Sequence, residues 1–316
     1  MLDDVISCNI ANINYSLLST NVSIEQKVIL PEFEEKGVNV FIKRDDLIHP
    51  FISGNKWRKL KYNYEEYIHS GCRGILTFGG AFSNHIIATA AFCAEKHISC
   101  VGIIRGEEPK EINHILLLSR LWGMKLEFVS RDEYRDKEQI SKQWQQKGYF
   151  VIPEGGENEA GVKGCEEIVT ELVQNYDHII CASGTGCTIA GIVRSVVNNN
   201  LKTHCHSVPV LKQGEFIYKS VGQYVKQTGQ FTVHPDYHFG GYAKTTLELL
   251  KFVQRIASET GILTDPVYTG KMFFALTDLV NKGYFKKHET ILAIHTGGLL
   301  GLMSEKMLTD VQNIIT

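Results

Sequence analysis

With 316 residues, 43% hydrophobic and 22% charged, the chain has the make-up of a globular enzyme and enough length for two cores. A net charge of −2 lacks the basic excess of a nucleic-acid binder. No run of about 18 apolar residues suggests a membrane span, the amino terminus is acidic rather than signal-like, and the eight cysteines show no Cys-x-x-Cys or zinc spacing, so the expectation is a reduced, cytoplasmic protein without a metal.

Short apolar runs alternate with helix-period segments almost throughout. Residues 38–42 read as a strand. Next comes Ser53-Gly54-Asn55-Lys56-Trp57-Arg58-Lys59, a Gly-Asn turn that sets a lysine at the start of a helical run. A lysine becomes a carbonyl-reactive amine when burial or neighbouring cations lower its pKa. A lone lysine is ordinarily solvated, and the accompanying Arg58, Lys59 and Lys61 read as a solvated helix face.

Strand 74–78 runs into Gly79-Gly80-Ala81-Phe82-Ser83-Asn84-His85 and a helix over 86–96. Ser83 falls near an N-cap, where its hydroxyl and the backbone amides can hold a carboxylate; ordinary capping explains it equally well. His85 suits a structural histidine as readily as a substrate contact. A serine-hydrolase reading fails because Gly-x-Ser-x-Gly is missing. Strand 100–104, helix 112–122 and strand 125–129 follow, bounded by the polar stretch 131–147.

Strand 178–182 leads into Ser183-Gly184-Thr185-Gly186-Cys187-Thr188 and a helix over 188–197. Such a loop brings backbone N–H groups and a helix amino terminus to an anion, although a plain tight turn has the same look. A dinucleotide fingerprint would need glycine where Ile189 stands and an acidic residue well before Glu215. A nucleoside-triphosphate loop would need Lys-Ser or Lys-Thr where Ile192-Val193 stand. The loop therefore suits a phosphomonoester. Tyr242, after Gly240-Gly241, and Tyr268, in Asp265-Pro266-Val267-Tyr268-Thr269-Gly270-Lys271 just before a helix, could each be core tyrosines or site residues. A strand over 291–295 closes the series.

Strands alternating with helices imply an α/β protein: two open, twisted parallel-sheet domains with helices on both faces and one cleft between them. The expected division is a larger domain, 1–49 with 150–316, and a smaller one, 50–149. Ligands of such sheets bind at the carboxyl ends of strands, where all four motifs fall.

Together, Gly54-Asn55-Lys56-x-Arg58-Lys59-Leu60, Gly79-Gly80-x-x-Ser83-Asn84-His85, Glu154-Gly155-Gly156, Asp265-Pro266-Val267-Tyr268-x-Gly270-Lys271 and His295-x-Gly297-Gly298 resemble the 1-aminocyclopropane-1-carboxylate (ACC) deaminase/D-cysteine desulfhydrase family, from about residue 40 to 300. The resemblance implies a tryptophan-synthase-β-like fold, pyridoxal 5'-phosphate (PLP) on Lys56 as a Schiff base, and a homodimer acting on a small amino acid. It implies that Asn84 bonds the cofactor ring and that Ser183, Gly184, Thr185, Gly186, Cys187 and Thr188 hold its phosphate. Ser83, Asn84, His85, Tyr242 and Tyr268 would meet the substrate, with Lys56, Ser83, Tyr242 and Tyr268 serving catalysis. Thr269 and Thr296 are the desulfhydrase-like pair at the cofactor, where ACC deaminases carry Glu and Leu. The resemblance thus favours β-elimination from D-cysteine, with ACC ring opening and a non-catalytic PLP or amino-acid binder as alternatives. The chain departs from the family pattern at Phe82, commonly Gln, and in a shorter segment before Tyr242.

Overall fold

The computed structural model describes residues 20–52 and 54–304, with Thr309 and Gln312. Ser53, Cys8 and the far termini lie outside the described residues.

The described elements run β1 (Glu25–Val28), α1 (Pro31–Lys36), β2 (Asn39–Lys43), α2 (Asn55–Ser70), β3 (Gly74–Gly80), α3 (Asn84–Glu95), β4 (Ser99–Arg105), α4 (His114–Leu121), β5 (Lys125–Val129), α5 (Lys137–Gln146) and β6 (Tyr149–Ile152). They continue with α6 (Glu159–Thr170), β7 (His178–Ser183), α7 (Cys187–Asn198), β8 (His204–Pro209), α8 (Phe216–Tyr224), β9 (Phe231–Val233), α9 (Leu247–Thr260), α10 (Thr269–Asn281) and β10 (Thr290–Ile294). The strands form a six-stranded sheet, β1-β2-β10-β7-β8-β9, and a four-stranded sheet, β5-β4-β3-β6. Every pairing is parallel except β1 with β2.

The period of two in β7 shows why the larger sheet needs helices on both faces. Ile180 and Ala182 point into one core with Met272 and Phe273 of α10. Ile179 and Cys181 point into the other, with Ile189 and Ile192 of α7. The smaller sheet does the same, Ile75 on one side and Leu76 and Phe78 on the other. The expected boundary at 149/150 falls inside β6, which pairs with β3, so the smaller sheet extends to Ile152.

Helix starts follow the local chemistry. Ser83, Asn113, Asn158 and Thr246 each accept a backbone N–H two or three residues on and so cap α3, α4, α6 and α9. The turn before α2 is tighter. Gly54 has φ 60°, and a Cβ there would stand 1.9 Å from the carbonyl oxygen of Thr296. Only glycine lets the Lys56 turn and the turn after β10 meet backbone to backbone.

The solvated helix face expected for Arg58, Lys59 and Lys61 is not found. Helix α2 lies between α3 and α6 rather than on the surface. Arg58 is fully buried, its guanidinium forked onto Asp45 (2.6 and 2.8 Å) and Glu171 (3.0 and 2.8 Å). Burial alone would raise the Asp45 pKa, but the charge and hydrogen bonds of Arg58 outweigh it and hold the carboxyl below its usual range. Lys59 is buried too, its Nζ donating to the carbonyl of Gly155 at 3.0 Å. Lys61, partly exposed, pairs with Glu167 at 2.5 Å.

Candidate active site

At the carboxyl ends of both sheets lies a cavity of about 530 Å³. Lys56 stands in its wall, half-buried, its Nζ donating to Oδ1 of Asn55 at 2.8 Å. Asn55 Nδ2 in turn donates to Thr188 Oγ1 at 2.8 Å, which ties the lysine turn to the loop before α7. Burial, reinforced by the charge of Lys59, pushes the Lys56 amine down to about 7. An amine lowered so far can lose its proton near neutral pH and act as a nucleophile.

Across the cavity, residues 183–188 all line the wall. Gly186 takes φ 102° and α7 starts directly after it with no side-chain cap. Its first-turn N–H groups are thus left for an anion at the positive end of a helix. Ser183 Oγ accepts from Ser207 Oγ at 2.8 Å. A Cβ on Gly184 would come within 3.3 Å of the Tyr268 ring, so the loop passes close beneath that tyrosine.

On the opposite side the β3–α3 turn presents Ser83, Asn84 and His85. Ser83 Oγ accepts the N–H groups of His85 and Ile86 at 3.2 and 3.3 Å, long bonds that leave the hydroxyl proton free to donate. Asn84 lines the cavity against Gly298, where a Cβ would stand 2.5 Å from its Nδ2. His85 is buried. Its Nε2 meets Thr77 Oγ1 at 2.9 Å, and that hydroxyl donates to the carbonyl of Ile152 at 3.0 Å. Nε2 must then carry the proton, leaving Nδ1 an acceptor, and Nδ1 has no partner. Burial first, then Lys56 and Lys59, holds the imidazole well below its ordinary pKa and neutral.

Tyr242 and Tyr268 close the rim, ring centroids 6.0 Å apart at 73°. Burial raises both phenols above their usual range, and both stay protonated at neutral pH. Thr296 lines the cavity after β10. Thr269 does not reach its wall: the hydroxyl donates to Asp265 Oδ1 at 2.8 Å and accepts from the Asp265 N–H at 2.9 Å. Its work is to lock the start of α10.

Residues 26–297 match the family described as pyridoxal-phosphate dependent enzymes. This chain belongs to that family. A Thermotoga maritima protein provisionally named 1-aminocyclopropane-1-carboxylate deaminase is 34% identical over 294 residues, 86% of this chain and 92% of that one. The mitochondrial bifunctional D-cysteine desulfhydrase/1-aminocyclopropane-1-carboxylate deaminase of Arabidopsis thaliana is 33% identical over 298 residues, 84% and 74% of the two chains. A crystal structure of an ACC deaminase homologue superposes with a TM-score of 0.78 at 30% identity, covering 91% of this chain and 93% of that one. The fold is thus the tryptophan-synthase-β type that the motifs implied.

The residues present fit PLP. The uncapped start of α7 with its glycine loop suits the phosphate, and a lysine with its pKa near 7 suits the aldehyde. The unpartnered Nδ1 of buried His85 marks the wall as built for a further polar group. In this PLP-dependent enzyme three contributors escaped the sequence reading. Asn55 links Lys56 to the 183–188 loop, and its signal was its place beside the lysine in a Gly-Asn turn. Lys59 holds the Gly155 turn, and Arg105, at the end of β4, reaches the cavity wall. Nothing in the local sequence distinguishes those two from surface cations.

Proposed function

We propose that this PLP-dependent enzyme is a D-cysteine desulfhydrase-like lyase, taking a small β-substituted amino acid and water to pyruvate, ammonia and, from D-cysteine, hydrogen sulfide. PLP, when bound, supplies an electron sink that acidifies the substrate's α-carbon. Lys56 would hold it, with residues 183–188 at its phosphate and Asn84 and Thr296 beside its ring.

Ser83 and the amino terminus of α3 would take the substrate carboxylate, which orients the α-carbon toward Lys56. Lys56 Nζ, freed by the incoming amine, is the base for the α-proton; a pKa of about 7 makes it competent at neutral pH. The protonated phenols of Tyr242 and Tyr268 stand where they can donate to a departing thiolate. His85 is neutral and can accept from the substrate without adding charge. Closing the lobe of the smaller sheet on that of the larger would exclude water until the sulfur has left.

The observation that carries this choice is the character of the wall after β10. Glu154 is the one carboxylate among the described residues lining the cavity, and it is paired with Lys137 at 2.5 Å. After β10 the lining residues offer the hydroxyl of Thr296 and no carboxylate. A hydroxyl does not hold a pyridine nitrogen protonated, which suffices for a good leaving group but gives little help in opening an unactivated carbon ring. The names of the relatives support a second reading, ACC ring opening to 2-oxobutyrate and ammonia. Product analysis separates them: PLP-loaded protein with D-cysteine, L-cysteine and ACC is expected to give pyruvate and sulfide from D-cysteine. Turnover of ACC alone would replace the first reading with the second.

The same reading makes the enzyme a cytoplasmic homodimer. Seven free cysteines among the described residues support a reducing compartment, and the exposed Leu117 and Leu121 on α4 support a partner surface. Sedimentation would test the dimer.

A further inference from the structure

Lys271 is fully buried, and the reaction outlined above gives it no task. A buried ammonium is costly unless its hydrogen bonds are made. Its Nζ donates to two backbone carbonyls, His238 and Gly241, each at 2.8 Å. The Gly241 carbonyl belongs to the peptide bond that leads into Tyr242.

The segment it grips is one that local sequence cannot hold by itself. Phe239, Gly240, Gly241 and Ala243 all have positive φ, at 51°, 91°, 115° and 53°. Left-handed backbone at Phe239 and Ala243 is unfavourable for residues with a Cβ and persists only where surroundings impose it. No strand ladder or helix runs through residues 239–246. Its local bonds are few, among them Gly241 N–H to His238 O and Lys244 N–H to Gly241 O. Lys271 adds two charge-assisted bonds, about twice as strong as neutral ones.

Lys271 also sits on the element that carries the other tyrosine. Asp265 accepts the N–H groups of Val267, Tyr268 and Thr269 at 2.8 to 2.9 Å and so fixes the start of α10. Tyr268 is held there by the chain itself. Lys271 lies one turn further on the same helix. The two rings meet edge to face, 6.0 Å apart, because one rigid helix end holds both.

We propose that Lys271 is a positioning residue that sets Tyr242 against Tyr268 on the substrate side of the cleft. The proposal rests on the reading of that cleft as the substrate site. Lys271 touches neither cofactor nor substrate; it acts through Tyr242.

A double-mutant cycle tests this, with kcat and KM read on PLP-loaded protein. Lys271→Met is expected to lower kcat/KM about 10- to 100-fold, to keep PLP affinity within about twofold, and to add less than about twofold on top of Tyr242→Phe. Full multiplicative losses in the double variant would overturn the proposal. Should the Met variant not fold, Lys271→Gln, which retains a donor, carries the same cycle. Hydrogen exchange gives a readout independent of activity: in Lys271→Gln the amides of residues 241–244 exchange at least about tenfold faster (a loss of about 1.4 kcal/mol of local protection) while those of α10 do not change. Unchanged exchange there would overturn the proposal even if no amino acid is turned over, an outcome that would separately end the lyase reading.

Discussion

The reactivity proposed for Lys56 follows from where the chain puts it. An ordinary lysine amine titrates near 10.4, whereas burial and Lys59 bring this one to about 7. Below that value it takes a proton and ceases to be a nucleophile. The rate at which apoprotein captures PLP is therefore expected to rise with pH through a midpoint near 7 and then level off; a midpoint above 9 would show an unperturbed amine. Ser83 carries two roles that mutation can separate. Ser83→Ala removes the α3 cap and should cost about 1 kcal/mol of stability, while Ser83→Gly should cost only a few tenths. If the hydroxyl also holds the substrate carboxylate, both variants raise KM about tenfold or more. Thermal unfolding beside steady-state kinetics reads the two effects apart.

At the scale of elements, the β7–β8–β9 edge contains a device that the cleft does not need. Glu289, His178, His206 and His234 form a hydrogen-bonded row, each contact 3.0 Å. Beside it stand His204, bonded to Thr232, and the rings of Tyr284 and Phe285. Burial, with His234, His204 and His178 around it, pushes His206 down to about 2; burial and His204 push His234 down to about 4, with Asp236 opposing. Both are neutral in the folded protein. Unfolded histidines titrate near 6.5, so between about pH 6.5 and 4 the unfolded chain binds protons that the native one refuses. Stability therefore falls as pH falls, by about 1.4 kcal/mol per pH unit for each histidine. Urea midpoints from pH 7 to 5 should show this slope, and His206→Gln should make it shallower; an unaltered slope would contradict the assignment.

The same strands show what sequence could not reveal. Residues 74–78, 100–104, 178–182 and 291–295 are largely apolar runs and 125–129 alternates charged with apolar residues, and each matches a strand within two residues. Strand β8 reads His-Cys-His-Ser-Val-Pro, and its histidines find their partners on other segments, His204 on Thr232 and His206 on His178 and His234. The short β6 and β9 carry too few residues to show a period. In the site, the Gly-Asn turn that presents Lys56, the Ser83 turn and the 183–188 loop were legible because turns and helix starts are written in adjacent residues, whereas the bond of Asn55 to Thr188 was not. The tasks of Arg58, Lys59 and Lys271 were not, since each depends on a partner 13 to 113 residues distant.

Across the whole molecule, the buried Arg58 joins the turn after β2 through Asp45, α2 through its own backbone, and α6 through Glu171. Helices α2 and α6 touch so closely that a Cβ on Gly164 would lie 1.8 Å from the Arg58 carbonyl oxygen. The helix that presents Lys56 is thereby fixed to elements on both sides of it. Arg58→Met would leave the Asp45 carboxylate buried without its partner, at a cost of about 3–5 kcal/mol. Lys61→Ala, which opens a partly exposed pair with Glu167, should cost less than about 1 kcal/mol. Denaturant titration of both variants checks the contrast; similar losses would mean that the buried network does not tie α2 in place.

The most direct test of the central claim compares wild type with Lys56→Ala, each loaded with PLP and offered D-cysteine. The wild type should show the visible absorbance of lysine-bound PLP and release pyruvate and sulfide in equal amounts. The variant should lose both the lysine-bound absorbance and the turnover. A variant that kept the absorbance and the products would contradict the assignment of Lys56 and the reaction built on it.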